Sequence, residues 1–179
     1  MFRPLETPRL RLEPIRADHA GAMFDGLHEP SLYAYQTDEP PDDMASLRER
    51  YAQLATGDSP AGDQHWLNWI LVRRDTGQAA GYVQATLAHA GAQAEIGYLV
   101  LVAHQRRGFA GEAVAAMVQH LFGAGVAVVR AVVDVRNVPS IALLERLGFA
   151  RDGTERSADV IDGVRGFDHR YELRPPKPG

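Results

Sequence analysis

The sequence predicts a mixed α+β domain, with one mostly antiparallel sheet of about six or seven strands flanked by about four helices. Three observations predict it. Residues 66–102 carry three consecutive strand signals joined by short turns, a meander that interrupts any β-α-β alternation and argues against a doubly wound parallel fold. Two helical patterns precede the meander and two follow it, which gives the order β-α-α-β-β-β-α-β-α-β-β. Within that order, the stretch His104-Gln105-Arg106-Arg107-Gly108-Phe109-Ala110-Gly111-Glu112-Ala113 lies between an apolar run and a helical pattern, so it reads as strand, basic glycine loop, helix.

In order, Thr7 to Ile15 alternates Leu10, Leu12 and Ile15 with Arg9, Arg11 and Glu13, as a half-buried strand does. Asp18 is placed to cap a helix from His19 to His28, ended by Glu29-Pro30. Tyr33, Tyr35 and the acidic run Asp38-Glu39-Pro40-Pro41-Asp42-Asp43 form a loop that caps the next helix, Met44 to Leu54. The meander strands are Trp66–Arg73, Ala80–Ala88 and Ala94–Val102, with turns at Asp75-Thr76-Gly77 and His89-Ala90-Gly91-Ala92. The next helix runs from Ala110 to about Ala124, stopped by Gly123 and Gly125. Val126 to Val135 is apolar and β-branched at nearly every position, which predicts a strand buried on both faces. Asn137-Val138-Pro139-Ser140 opens a short helix, Ile141 to Leu147, ended by Gly148. Phe149–Val160 and Gly166–Leu173 form a last hairpin around Ile161-Asp162-Gly163. Residues 1–174 are expected to be a single domain and 175–179 a disordered tail.

Composition narrows the function. With no cysteine, disulfides, thiolate metal sites and a cysteine nucleophile are excluded. A net charge of −4 argues against broad nucleic-acid binding. No apolar run approaches membrane-spanning length, and Met1-Phe2-Arg3-Pro4-Leu5-Glu6 lacks a signal-peptide core, so the expectation is a cytoplasmic protein that binds no membrane. No His/Asp/Glu set has metal-ligand spacing.

The loop at 104–113 describes an anion cradle. A helix start presents unpaired N–H groups and a positive dipole end, glycine lets backbone approach a ligand, and the arginines add charge. A pyrophosphate is the natural occupant. The chain holds no Gly-Lys-Ser/Thr triplet, and Gly108-Phe109-Ala110-Gly111 does not complete a Gly-x-Gly-x-x-Gly, so neither a P-loop nor a dinucleotide fingerprint is present.

A second cluster follows, Asp134-Val135-Arg136-Asn137-Val138-Pro139-Ser140 and then Leu143-Leu144-Glu145-Arg146-Leu147-Gly148-Phe149. Gln105-x-x-Gly108-x-Ala110 with Asn137-x-x-Ser140 and Leu147-Gly148-Phe149 resembles the GCN5-related N-acetyltransferases, the GNAT superfamily. The opening Glu6-Thr7-Pro8-Arg9-Leu10-x-Leu12 and Ala94-Glu95-Ile96-Gly97-Tyr98 resemble its branch named after the ribosomal-protein N-terminal (Rim-type) acetyltransferases. The resemblance spans roughly residues 5–173.

It implies a GNAT-type sheet splayed between the Ala94–Val102 and Val126–Val135 strands, with acetyl-CoA as co-substrate and no metal. The pyrophosphate would lie on N–H groups from about Arg106 to Gly111, so Gln105, Arg106, Arg107, Gly108, Phe109, Ala110 and Gly111 are candidate cofactor contacts. Leu101 and Val102 would pair with the pantetheine amides, Asn137 would bond the pantetheine arm, and Ser140 would lie near the thioester sulfur. Gly108 and Ala110 would be small to clear the phosphates.

The chemistry then needs a base for the amine, a donor for the oxyanion and an acid for the leaving thiolate. Glu95, acting through water, is the candidate base; a solvent-facing strand carboxylate is its plain alternative. Ser140 is the candidate acid, against a role in the first helical turn. Many family members carry a tyrosine where this chain has Leu144, which shifts weight to Ser140 or to no acid. Tyr98 reads as core. His65, Trp66 and Trp69, the Tyr33–Asp43 region, and Asp168 with His169 are candidates for the acceptor side, with structural roles as alternatives. The reading is direct transfer of acetyl to a primary amine, on a protein N-terminus, an antibiotic, a polyamine or another small amine. The alternative is a catalytically inactive acyl-CoA-binding or sensing module. A homodimer through Thr7–Ile15 as an edge strand, or through the last hairpin, is permitted.

Overall fold

The structure, a computed structural model, describes residues 3–88, 92–161 and 163–176. The expected turn at His89-Ala90-Gly91, Asp162 of the last turn, and residues 177–179 lie outside the described residues. The elements are β1 (Leu5–Glu6), β2 (Leu10–Pro14), α1 (Ala20–Met23), α2 (Met44–Leu54), β3 (Gln64–Arg73), β4 (Ala79–Ala88), β5 (Gln93–Val100), α3 (Phe109–Gly123), β6 (Val128–Asp134), α4 (Val138–Arg146), β7 (Ala150–Arg156) and β8 (Phe167–Leu173). They form one eight-stranded sheet in the order β1-β2-β3-β4-β5-β6-β8-β7. Every neighbouring pair is antiparallel except β5 and β6. No helix among the described residues is long and apolar enough to cross a membrane.

The sheet carries a core on each face. β3 alternates between them: Leu67, Trp69 and Leu71 join α3 and α4, whereas Ile70 and Val72 join α1 and α2. This is the strand buried on both faces. The expectation for β6 is corrected: Val129, Ala131 and Val133 are buried, but Arg130 is exposed and Val132 is 46% exposed. The α1–α2 layer packs on β3, β4 and the end of β5 and stops there, so a valine-rich sequence is left with one bare face.

The first helix also differs from expectation. It is broken into 3-10 turns at Ala17–His19 and Asp25–His28 around a four-residue α1. Asp18 does not cap it; its carboxylate takes a hydrogen bond from Arg16 Nε at 3.1 Å, while His19 Nδ1 accepts the Arg16 N–H. Asp43 does cap α2, accepting the Ser46 N–H at 2.7 Å. Thr7–Ile15 is not an edge: β2 lies between β1 and β3, and the edges are β1 and β7.

Two glycines are required by geometry. Gly81 has φ 150°, and a Cβ there would stand 2.1 Å from the Leu99 carbonyl oxygen where β4 meets the end of β5. Gly148, at φ 88°, ends α4 and lets the Phe149 N–H reach the Leu144 carbonyl at 3.0 Å.

Candidate active site

β5 and β6 pair only at Gln93–Val128, Ala94–Val129 and Glu95–Arg130. Beyond Glu95 the two strands part, and the sheet is splayed from its middle outward. β5 ends in a 3-10 turn, Val102–His104, that leads into the cradle. Arg106 (φ 60°) and Gly108 (φ 79°) both adopt left-handed backbone, which turns successive N–H groups toward one side. The N–H groups of residues 106–111 meet no acceptor among the described residues. The side chains of Arg106 and Arg107 make no ion pair among them either. A concave run of unpaired donors with two free guanidinium groups fits a pyrophosphate.

The cradle is clamped from behind. Glu112, in the first turn of α3, accepts from Thr7 Oγ1 at 2.6 Å, from the Arg9 N–H at 2.8 Å and from Arg9 Nε at 2.6 Å. Burial raises the Glu112 pKa, but these hydrogen bonds outweigh it and hold the carboxyl below its ordinary range. Arg9 Nη1 also donates to the Arg107 carbonyl at 2.8 Å, and its guanidinium lies 5.0 Å from the Phe109 ring centroid. Phe109 is buried, so only its backbone faces the cradle. Gln105 folds its amide back to the Val100 carbonyl at 3.0 Å. Leu101 is buried and Val102 half-exposed at the mouth of the splay.

On the far side of the splay, Asn137 Oδ1 caps α4 by accepting the Ser140 N–H at 3.3 Å, which leaves its amide NH2 without a partner among the described residues. Ser140 is thus a first-turn residue, and its hydroxyl makes no hydrogen bond among the described residues. Leu144 is 1% exposed in the core and takes no part in the site. Tyr98 crosses from β5 to α4, its hydroxyl 3.5 Å from the Ser140 carbonyl. Burial raises its pKa. The core role expected for Tyr98 covers its ring but not its hydroxyl. Glu95 is exposed at the vertex of the splay, opposite Thr86 and Arg130, and faces the same side as Gly97 and Leu99.

That side holds a cavity of ≈ 320 Å³ between the loop after α1, α2 and the sheet, lined among others by Tyr33, Asp38, Tyr51, Asn68, Tyr82, Gln84 and Leu99. A second cavity continues it along Gln84, Thr86 and Trp66. Burial, then the nearby Asp38 carboxylate, pushes Tyr82 up to about 12. The Arg136 guanidinium lies 6.0 Å from the Tyr35 ring, so the loop after α1 reaches across to the turn after β6.

Of the acceptor-side candidates, Tyr33 and Asp38 to Asp42 line the first cavity and Trp66 the second, whereas Tyr35 stands under Arg136 and Asp43 caps α2. Trp69 is buried on the opposite face, with Nε1 donating to the Arg3 carbonyl at 2.8 Å. His65 Nδ1 meets Asp58 Oδ1 at 2.7 Å. His169 is held by Thr154 Oγ1 at 2.7 Å and shares its face with the buried Tyr171; Asp168 projects to the other side. Two site residues escaped sequence reasoning. Arg146 Nη2 lies 3.9 Å from where a Gly111 Cβ would stand, which brings to the cradle another guanidinium with no ion pair among the described residues. Arg9 builds the cradle from a strand distant in sequence. Arg146 lies within the quoted Leu143–Phe149 cluster; for Arg9 the Glu6–Leu12 opening was the only hint.

A cradle of free amides beside a sheet split at its centre is the arrangement of an acyl-CoA-dependent transferase. Residues 9–150 match the family model described as the acetyltransferase (GNAT) domain, and the chain belongs to that family. It is an acetyltransferase. It is 30% identical over 179 residues to YoaA of Bacillus subtilis (strain 168), an uncharacterised N-acetyltransferase, covering 99% of both chains. The fold is shared with the ribosomal-protein-S5-alanine acetyltransferase of Vibrio fischeri (TM-score 0.81, 17% identity, 96% of each chain). It is shared equally with the microcin C7 self-immunity acetyltransferase MccE, solved with acetyl-CoA and AMP (TM-score 0.81, 19% identity, 94% of each chain).

Proposed function

We propose that the protein moves the acetyl group of acetyl-CoA directly to a primary amine in a ternary complex. The observation that carries this reading is the splay. β5 serves both cradle and cavity: it leads through the 102–104 turn into the cradle, and its Leu99 lines the ≈ 320 Å³ cavity, so two substrates can meet at the parted strands. The amine nitrogen attacks the thioester carbonyl carbon; a C–N bond forms, the C–S bond breaks, the nitrogen gives up a proton and the thiolate takes one. Most of the rate comes from positioning.

The N–H groups of residues 106–111, with Arg106, Arg107 and Arg146, hold the pyrophosphate. The Asn137 amide and the ends of β5 near Leu101 and Val102 hold the pantetheine arm. Glu95 accepts the amine proton through water, and its exposure at the vertex keeps that water available. The Ser140 hydroxyl, unpartnered on the α4 side, returns a proton to the thiolate.

Thiol release from acetyl-CoA over a panel of N-terminal peptides, aminoglycosides, polyamines and amino acids tests the reading, beside thermal stabilisation by acetyl-CoA alone. Turnover with an amine is the expected result. Stabilisation without turnover on every amine would make the chain a binding module instead. Glu95→Gln should lower kcat about tenfold or more and flatten its rise with pH, leaving the acetyl-CoA KM unchanged. An unaltered pH–rate profile removes Glu95 as base.

A further inference from the structure

The charges around the ≈ 320 Å³ cavity are one-sided. Among the described residues, Asp38, Glu39 and Asp42 stand at its lining against a single cation, Arg50. Arg50 Nη2 lies 3.6 Å from Asp38 Oδ1, so that pair is partly self-compensated. Glu39 and Asp42 have no ion pair or hydrogen bond among the described residues. Deeper in, the lining turns phenolic. Tyr33 spends its hydroxyl proton on the Leu27 carbonyl at 2.6 Å. Tyr51 is 4% exposed and its hydroxyl has no partner among the described residues, a buried donor left open among the lining tyrosines. Burial raises its pKa, so it stays protonated and able to donate.

This arrangement selects by charge. An acceptor bearing a carboxylate or phosphate would set its anion against uncompensated carboxylates, with one already engaged arginine to answer it. A peptide would find Pro40 and Pro41 at the lining, and proline offers no backbone N–H for an extended chain to pair with. A slender cation meets the opposite conditions: free carboxylates at the mouth, and tyrosine rings whose faces attract ammonium groups. At one end of the cavity Leu99 lies on β5, which borders the splay, and Gln84 on its neighbour β4. Gln84 packs there directly over Gly97, where a Cβ would stand 2.9 Å from its Nε2.

Resting on the transfer reading above, we propose that the acceptor is a small flexible diamine or longer oligoamine. One amino group reacts at the Gln84–Leu99 end, and a second, protonated one is held by Glu39 and Asp42. The Tyr51 hydroxyl accepts an N–H of the reacting, neutral nitrogen, whose lone pair stays free for the thioester, and donates to an intervening water.

Calorimetry on the full chain tests binding without requiring turnover, with diaminobutane, the equal-length monoamine butylamine, and a short N-terminal peptide as probes. Diaminobutane should bind at least about tenfold more tightly than butylamine, and the margin should shrink with added salt. In E39Q/D42N the margin should fall at least about fivefold while acetyl-CoA still raises the Tm, which reports an intact fold. Equal binding of the two amines, tighter binding of the peptide, or an unchanged margin in the double variant overturns the proposal. Thiol release separates the two readings. A diamine that binds but releases no thiol, with no other amine turned over, defeats the transfer reading and leaves the cation site standing. Thiol release with monoamines or peptides in preference to the diamine defeats the acceptor class alone.

Discussion

The cradle and the tyrosine-lined cavity both adjoin β5, the strand at the border of the split, yet they are made of different parts of the chain. The cradle is backbone: N–H groups of one continuous loop, shaped by Arg106 and Gly108 and braced by Thr7, Arg9 and Glu112. The cavity is side chain: tyrosines, amides and carboxylates drawn from the loop after α1, from α2 and from three strands. On the proposed reading, the difference follows the ligands. A pyrophosphate can be held by amides that every residue owns, so the cradle needs small residues and the right dihedrals. An acceptor must be told from other amines, and only side chains can do that.

Substitutions at the cradle can break or sharpen this contrast. The largest effect is expected at Gly108, comparing Gly108→Ala with Gly108→Glu. Both carry the strain of a left-handed non-glycine residue, about 1–2 kcal/mol, but only glutamate sets a carboxylate against the phosphates. Glutamate should weaken CoA about a hundredfold or more relative to alanine by calorimetry. Equal affinities would mean that the backbone alone matters there.

Next comes Glu112→Gln, which loosens the brace without touching a ligand. It should cost about 1 kcal/mol of stability at neutral pH, since the Arg9 partner is half-exposed. The sign follows from the depressed carboxyl: the stabilisation is present above the ordinary carboxylate pKa and is lost as pH falls through the lower folded-state value. Wild type and variant should therefore converge in urea midpoints as pH drops through the acid range. A gap that persists at low pH would put the clamp's strength in shape rather than charge.

The smallest effect is expected at Arg146→Ala. Losing one exposed guanidinium should raise the acetyl-CoA KM about two- to fivefold, more at low salt, with the acceptor KM unmoved. A change in the acceptor KM would show that α4 speaks to the cavity as well.

The same contrast explains what was legible in the sequence. The meander, α2, α3, α4 and the cradle follow from local signals: alternation, capping residues and glycines that need left-handed backbone. Strand order did not, because the insertion of β8 between β6 and β7 depends on long-range pairing that no local pattern encodes. The valines of β6 promised burial on both faces, and Val132 is exposed only because the α1–α2 layer ends short of it. Trp69 and Trp66 sit three residues apart in β3, yet one is core and the other lines a cavity. The family motifs named the cradle residues; Arg9 stayed out of view because its contact with Arg107 spans 98 residues of chain.

The parting of β5 and β6 gives this sheet an unusual number of borders. Besides β1 and β7 at its outer limits, the two strands on either side of the split turn unpaired backbone toward each other over the span beyond Glu95 and Arg130. Exposed strand borders are where chains stick to one another. Here the border lies between two strands of one sheet. On the proposed reading, a thin extended arm bearing amides fills the gap and supplies the pairing that the sheet lacks. The co-substrate would then serve as a temporary ninth strand, and a cell's supply of it would decide how much of the protein's stability is its own.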